Sequence, residues 1–415
     1  METRGTKRQT GAGSAGETSV AERAGVEVQV PADCSGYWIL TGSQEFIRRT
    51  FAFLPARTLA VCSRVCKAWQ TVAKRVLQQR EDIGWATYGR LQAESETADN
   101  CLDPLGPFGV HLDQCLQSIG SLPYLAIVFL GNWPLSGESH SKARRNALLL
   151  RDLQTRLPAQ TTVACVVACG TIGYKPDLSP AGDNEDGEGV SCVLLPRMDG
   201  VGVHCQWLSL NLLSADTTGE YMKAHRPPAN TRCVLVFQDC QFRRHNFSYA
   251  NVLQEDLYDA YGTRPTICGG YGRQVMLHSE SGDQYWLPVR RGHALTIAFS
   301  GPRVRAASVV VEADICRRAE VRERLGQLKA AVLAAGWGLG RTLAFMFTCA
   351  GRGSYVYQQP DVESATFHEL FPSTPLVGFF GVGEWGRNNF PGDPPEPQGS
   401  LDLTFSCVFC LISFG

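Results

Sequence analysis

Nine short apolar runs constrain this chain more than any other feature. They are Tyr124–Leu130, Thr161–Ala168, Cys192–Leu195, Arg232–Phe237, Leu295–Phe299, Ser308–Glu312, Thr342–Thr348, Leu376–Phe380 and Leu401–Ile412. Each is rich in branched or aromatic residues and is bounded by Gly, Pro, Asp or Asn, the pattern of buried strands. Segments of helical period lie between them. Ser141–Leu157 is stopped by Pro158, Asn246–Tyr261 is a second helix, and a third spans about residues 315–335. The third sets Val321, Leu325, Leu328 and Val332 on one stripe and stops at Gly336. The alternation predicts an α+β chain: a small N-terminal all-α module, then a large mixed α/β body. No internal repeat is evident.

Composition excludes several classes of function. Hydrophobic residues make up 44% and charged residues 19% of 415, as in a folded globular chain. The net charge of −1 gives no overall bias toward nucleic acid or membrane. No run approaches the roughly 18 apolar residues of a membrane span. Residues 1–40 are polar, Gly-rich and without an apolar signal core, so a disordered N-terminal segment is expected. The stretch 92–106 reads as a linker, and the acidic, Gly-rich run 179–190 as a solvated mobile loop.

The 16 cysteines are scattered, many inside apolar runs, and read as buried thiols. Cys407 and Cys410 form one C-x-x-C pair, but on a strand residues three apart face opposite sides and cannot share a metal. No metal site and no cofactor are expected.

Residues 44–80 stand apart. Phe46, Ile47, Thr50, Phe51 and Leu54 recur at helical spacing, Pro55 breaks the pattern, and a short turn follows around Leu59. A last helix sets Val65, Trp69, Val72, Val76 and Leu77 on one stripe. Some 40 residues bury too little surface to be stable alone, so large apolar side chains on several faces need a cover. The segment carries eight basic residues against the single Glu45. Its apolar stripe is too wide for a solvated DNA-recognition helix.

The order F-I-x-x-x-F-x-F-L-P-x-x-x-L followed by V-C-K-x-W resembles an F-box over residues 43–90. The resemblance implies docking on a Skp-type adaptor, and through it on a cullin–RING ubiquitin ligase. It implies that Phe46, Phe51, Leu54, Pro55, Leu59, Val65, Cys66 and Trp69 form the docking surface or the core beneath it.

Near the C-terminus, G-V-G-E-W-G (Gly381–Gly386) matches the spacing of a dinucleotide fingerprint. A fingerprint needs a helix at once after it to hold the pyrophosphate. Here R-N-N-F-P-G-D-P-P follows and cannot open one. A second glycine loop follows the strand ending at Thr348 and places Cys349 near Arg352. Arginine can lower a thiol pKa or grip a carboxylate. Alternatively, Cys349 packs and Arg352 pairs with a nearby acid such as Glu384.

The stretches F-T-C-A-G-R-G (Phe347–Gly353) and P-L-V-G-F-F-G-V-G-E-W-G (Pro375–Gly386), with C-G-G-Y-G (Cys268–Gly272) upstream, resemble the C-terminal half of a FIST domain. The resemblance extends the body over residues 105–415, with an N-terminal half of about 120–250 and a C-terminal half of about 255–415. FIST domains are thought to sense small ligands. Trp385 stands where a smaller aliphatic residue is more usual.

Together these readings point to a substrate receptor of a ubiquitin ligase, non-catalytic itself, with Cys349, Arg352, Glu384 and Gly386 as the candidate substrate- or ligand-binding face. The alternative is a small-molecule sensor whose ligand modulates partner binding. An enzyme is disfavoured. G-x-S-x-G, H-E-x-x-H and a phosphate loop are all missing, and His368 is the nearest histidine in sequence to Cys349. Cytoplasmic and nuclear residence are both expected.

Overall fold

The computed structural model describes residues 43–89, 106–131, 149–175, 189–209, 223–240, 249–261, 264–278, 293–392 and 400–415, with 178, 182–185, 187 and 220. The expected disordered N-terminal segment and almost all of the expected linker lie outside these residues.

Three helices make the N-terminal module: α1 (Gln44–Phe51), α2 (Ala56–Cys62) and α3 (Lys67–Gln78). Ser43 caps α1, its Oγ accepting from the Phe46 N–H at 3.3 Å. Pro55 is the N-cap of α2, where its missing N–H costs nothing. Ile47, Phe51, Leu59, Val72, Ala73 and Val76 form a small closed core, with Trp69 edge-on to Phe51 at 5.2 Å. Val65 does not belong to the last helix. It lies in the turn ahead of α3, whose N-cap is Cys66.

The body starts earlier than its sequence suggests. Strand β1 (Gly84–Gly89) pairs antiparallel with β5 (Gly189–Pro196), so the expected module boundary at residue 90 is corrected to the end of α3. The remaining body elements are α4 (Gly106–Ser118), β2 (Pro123–Leu130), β3 (Thr162–Val167), β4 (Gly170–Gly173), β6 (Gly202–Ser209), β7 (Thr231–Asp239), α5 (Tyr249–Tyr261), β8 (Thr266–Gly272), β9 (Gln274–His278), β10 (His293–Ser300), β11 (Arg305–Val311), α6 (Arg318–Ala334), β12 (Thr342–Cys349), α7 (Val362–Leu370), β13 (Leu376–Gly381), β14 (Glu384–Trp385), β15 (Asp402–Leu403) and β16 (Cys407–Ser413). Residues 149–156 are also helical.

The strands form three sheets with one shared plan. The first is ordered β1-β5-β2-β3-β9, the second β6-β10-β7-β8-β14-β15, and the third β11-β16-β12-β13-β4. In each, the first two pairings are antiparallel, the third is parallel (β2 with β3, β7 with β8, β12 with β13), and the fourth is antiparallel. That fourth partner always comes from a different repeat. The strand after β3 crosses to the third sheet, the one after β8 to the first, and the one after β13 to the second. The chain therefore contains three topological repeats in cyclic exchange, which corrects the expectation of none.

The inner faces of the sheets meet in one core, and helices cover the outer faces. Phe129, Phe237 and Phe347 occupy equivalent positions on β2, β7 and β12. Their ring centroids lie 5.8, 6.3 and 5.6 Å apart around the centre. Phe345 and Phe379 close in on the same cluster. Outside, Phe108, Leu112 and Leu116 of α4 pack on the first sheet, and Leu253 and Leu257 of α5 on the second. Helix α6 covers the third with the expected stripe of Val321, Leu325, Leu328 and Val332. It is followed by Gly336 at φ +70°, a left-handed stop that suits glycine. On β16, Cys407 joins the outer core and Cys410 the inner one, on opposite faces of the sheet.

Module and body are tightly joined. The Arg80 guanidinium donates to the carbonyls of Phe51, Ala52 and Leu54 in the module and Gly120 in the body, at 2.6–2.9 Å. Glu81 accepts both guanidinium ends of Arg303, at 2.7 and 2.8 Å, and pairs with Arg341. Arg57 donates to the Arg156 carbonyl at 2.5 Å.

Candidate adaptor face and the glycine loops

The eight candidate docking residues divide by depth. Phe51 and Leu59 are fully inside the module core. Leu54, Pro55, Cys66 and Trp69 are half-buried at its margin. Phe46 and Val65 are exposed at 46% and 64%, joined by Phe53 at 88% and Val61 at 67%. Phe53 belongs to the F-box pattern but not to the expected docking set, and Val61 to neither. Phe53 lies in the turn after α1, and Val61 on α2 two residues beyond the buried Leu59. Four large apolar side chains in the open on one small module form an uncovered surface.

The glycine loops are interior. The Arg352 side chain is completely buried. Its Nε donates to Glu363 Oε1 at 2.9 Å, and one terminal nitrogen donates to the carbonyls of Glu312 (3.1 Å) and Phe405 (2.7 Å). The other donates to the Ile315 carbonyl (3.0 Å) and the Tyr357 hydroxyl (2.5 Å). That hydroxyl in turn donates to Glu363 Oε1 at 2.8 Å. Burial works against the charged guanidinium, but Glu363 beside it leaves the Arg352 pKa raised overall.

Glu384 is not the partner of Arg352. It is buried on β14, where its Oε1 accepts the Ser406 N–H at 2.7 Å and hydroxyl at 2.6 Å. A Cβ on Gly386 would lie 2.5 Å from Val408, and one on Gly378 only 1.8 Å from the Met346 carbonyl oxygen. Gly378 lets β13 lie close to β12, and Gly386 lets the segment after β14 lie close to β16. The expectation that Arg352, Glu384 and Gly386 face a partner is therefore corrected: Arg352 ties segments at the ends of third-sheet strands together, and Glu384 and Gly386 hold β14 of the second sheet against the start of β16. Of the four residues, only Cys349 is partly exposed. No helix opens in the described residues after Gly386.

Trp385 fills its position completely. It is fully buried, edge-on to Tyr271 with centroids 4.5 Å apart. His368 lies on α7 against the ring of Tyr174, at 5.3 Å. The acidic run is also partly structural. Glu185 accepts the Ser354 N–H and hydroxyl at 2.7 and 2.8 Å, and Asp183 accepts the Ser364 hydroxyl at 2.8 Å. Burial pushes the thiols of Cys165, Cys192, Cys268 and Cys407 up, that of Cys115 to about 11 and that of Cys205 to about 12. Among the described residues, no group of three or more His, Cys, Asp or Glu side chains is placed to hold a metal ion.

The F-box domain model matches residues 43–77, which span all three module helices short of the last residue of α3, and the FIST C domain model matches residues 289–387. The chain carries an F-box domain and a FIST C domain. The F-box match ends inside α3, in line with β1 belonging to the body. The FIST C match includes both glycine loops. Over 367 residues the chain is 25% identical to F-box only protein 22 of Homo sapiens and of Pongo abelii, covering 84% of this chain and 85% of each relative. Among solved structures, a cyanuric acid hydrolase aligns at 11% identity and TM-score 0.36, over 81% of this chain and all of its own. A second, from A. caulinodans, aligns at 9% and 0.37, over 80% and 100%. At these scores neither carries an argument about fold or chemistry.

Proposed function

We propose that this chain is the substrate-recognition subunit of an SCF-type E3 ubiquitin ligase, directing captured proteins to ubiquitination and proteasomal degradation. The observation that carries the reading is the F-box module itself. Its core is closed by Ile47, Phe51, Leu59 and Val76, yet Phe46, Phe53, Val61 and Val65 stay in the open. A Skp-type adaptor would cover these side chains. Phe46 and Val65 would make the contact, Leu54, Pro55, Cys66 and Trp69 its margin, and Phe51 and Leu59 the support.

In this reading the chain makes and breaks no bonds. It holds a substrate near a conjugating enzyme that the cullin–RING assembly recruits, and proximity is its contribution to rate. The Arg80, Glu81 and Arg57 contacts suit that role, because they fix the body relative to the adaptor. The FIST-type body would present the substrate surface, in the cytoplasm or the nucleus. Adaptor co-purification with the full chain, compared with Phe46→Asp and Val65→Asp, tests the reading.

A further inference from the structure

A groove of about 710 Å³ runs between the F-box module and the body. Leu77 of α3 forms one wall of its floor; Leu122, Pro123, Tyr124 and Pro196 form the other. Its rim is cationic. Lys74 comes from α3, Arg80 from the segment after it, and Arg197 from the end of β5. Gln70, Gln78 and Gln160 also line it, and Asp199 is the single acid in the lining.

Lys74 and Arg197 make no ion pair among the described residues. Arg80 spends its terminal nitrogens on backbone carbonyls, and Asp82 is the carboxylate whose charge it feels. Arg197 lies over the ring of Tyr124, another lining residue, 4.1 Å from its centroid, a cation–π contact that holds its charge at the groove. Lys74 is exposed on the facing helix. The neighbouring surface of α3 adds Arg75. None of the exposed apolar side chains of the module lines this groove, so it is distinct from the adaptor face.

An apolar floor beneath Lys74 and Arg197, neither of them in an ion pair among the described residues, selects a ligand with both features. Free phosphate or a nucleotide polyphosphate would leave Leu77, Leu122 and the prolines uncovered. A purely apolar helix would leave the cations unmatched. The volume lies within the range of sites that enclose small ligands or a few side chains. We propose that this groove is a docking site for an acidic peptide segment of a partner protein, anchored by one or two aromatic or aliphatic side chains. The inference does not rest on adaptor binding, because the groove is complete without the adaptor.

The probe is a fluorescein-labelled random copolymer of glutamate and tyrosine, followed by polarization on the full chain, with unlabelled copolymer, polyglutamate and inositol hexakisphosphate as competitors. The expected result is saturable binding that unlabelled copolymer displaces fully and polyglutamate only weakly. Affinity should fall by about tenfold or more in Lys74→Glu and in Arg197→Glu, as for charge reversal across a complementary contact. Melting temperature and adaptor co-purification should be unchanged in both variants, which separates this inference from the adaptor reading. Binding unaffected by either reversal would overturn the proposal. So would displacement by inositol hexakisphosphate as effective as by unlabelled copolymer, which would make the groove a small-polyanion site. Loss of copolymer binding on adding the adaptor would also overturn it, by assigning the groove to the adaptor.

Discussion

Arg352 and Glu363, 11 residues apart in sequence, form a buried ion pair, with Glu363 Oε1 2.9 Å from the arginine Nε. The same guanidinium ties the segment around Glu312 and Ile315 to the loop at Phe405, so one side chain connects β11, β12, α7 and the entry to β16. Phe405 adopts a left-handed backbone at φ +54°, uncommon for an aromatic residue, and its carbonyl is held at 2.7 Å by Arg352.

Removing one member of this pair strands the other charge in the interior. Glu363→Gln and Arg352→Ala should each destabilise the body by about 3–5 kcal/mol, the usual cost of breaking a buried pair. Urea denaturation of the full chain measures this. Adaptor co-purification should survive both substitutions under conditions where the chain stays folded. A wild-type denaturation midpoint in Arg352→Ala would show that the network contributes nothing to the fold.

The central phenylalanines should be equally sensitive. Phe129→Ala, Phe237→Ala and Phe347→Ala each open a cavity where three sheets converge, at a cost of about 3–5 kcal/mol. Because the three rings touch, a double variant should fall short of the sum of its singles. Full additivity in denaturation experiments would mean that the rings act independently, against the shared core described here.

Acid should loosen the junction between F-box and body. The bonds from Arg303, and then the charges of Arg303 and Arg341, hold the Glu81 carboxyl below the ordinary glutamate value. A lowered folded-state pKa contributes stability that is complete above the unfolded value and lost as pH falls through the folded one. Protection of the Glu81 segment in hydrogen exchange should therefore be constant from neutral pH down to the carboxylate range and decline below it. Glu81→Gln should remove this dependence, and an identical acid profile in that variant would exclude Glu81 as its source.

Thiol chemistry should discriminate sharply among the cysteines. Cys316 is exposed, whereas Cys165, Cys407 and Cys410 are buried with raised pKa values. Iodoacetamide should label Cys316 in the native chain and the three buried thiols only after denaturation, as peptide mass mapping would record. Native labelling of Cys407 or Cys410 would place an opening in the third sheet.

Much of this architecture was legible in the residues, and the limits have physical causes. The α6 stripe was complete because a surface helix over a sheet repeats its apolar positions in sequence. The strands that escaped notice, β1, β4, β6, β8, β9 and β14, are short, Gly-rich or polar on one face, and their pairing comes from distant segments. The threefold plan was hidden because topology survives where side chains diverge. L-A-I-V-F-L, C-V-L-V-F-Q and L-A-F-M-F-T share little beyond the phenylalanine at the centre.

At the sites, the F-box order marked the candidate docking residues, but their depth depended on helix phase. Phe46 and Phe51 read alike in sequence and differ completely in exposure. Arg352 looked like a binding group because a guanidinium on a glycine loop suits a carboxylate. Nothing in sequence distance indicated that the carboxylate would be Glu363, in the first turn of α7.

The most direct measurement is size-exclusion co-purification of the full chain with a Skp-type adaptor, beside Phe46→Asp and Val65→Asp. Both substitutions are on exposed side chains and should leave the melting temperature unchanged. The account predicts one stable complex for the wild type and loss of adaptor from both variants, with the body still folded. Failure of the wild type to retain the adaptor, or full retention by both variants, would contradict the assignment of this face.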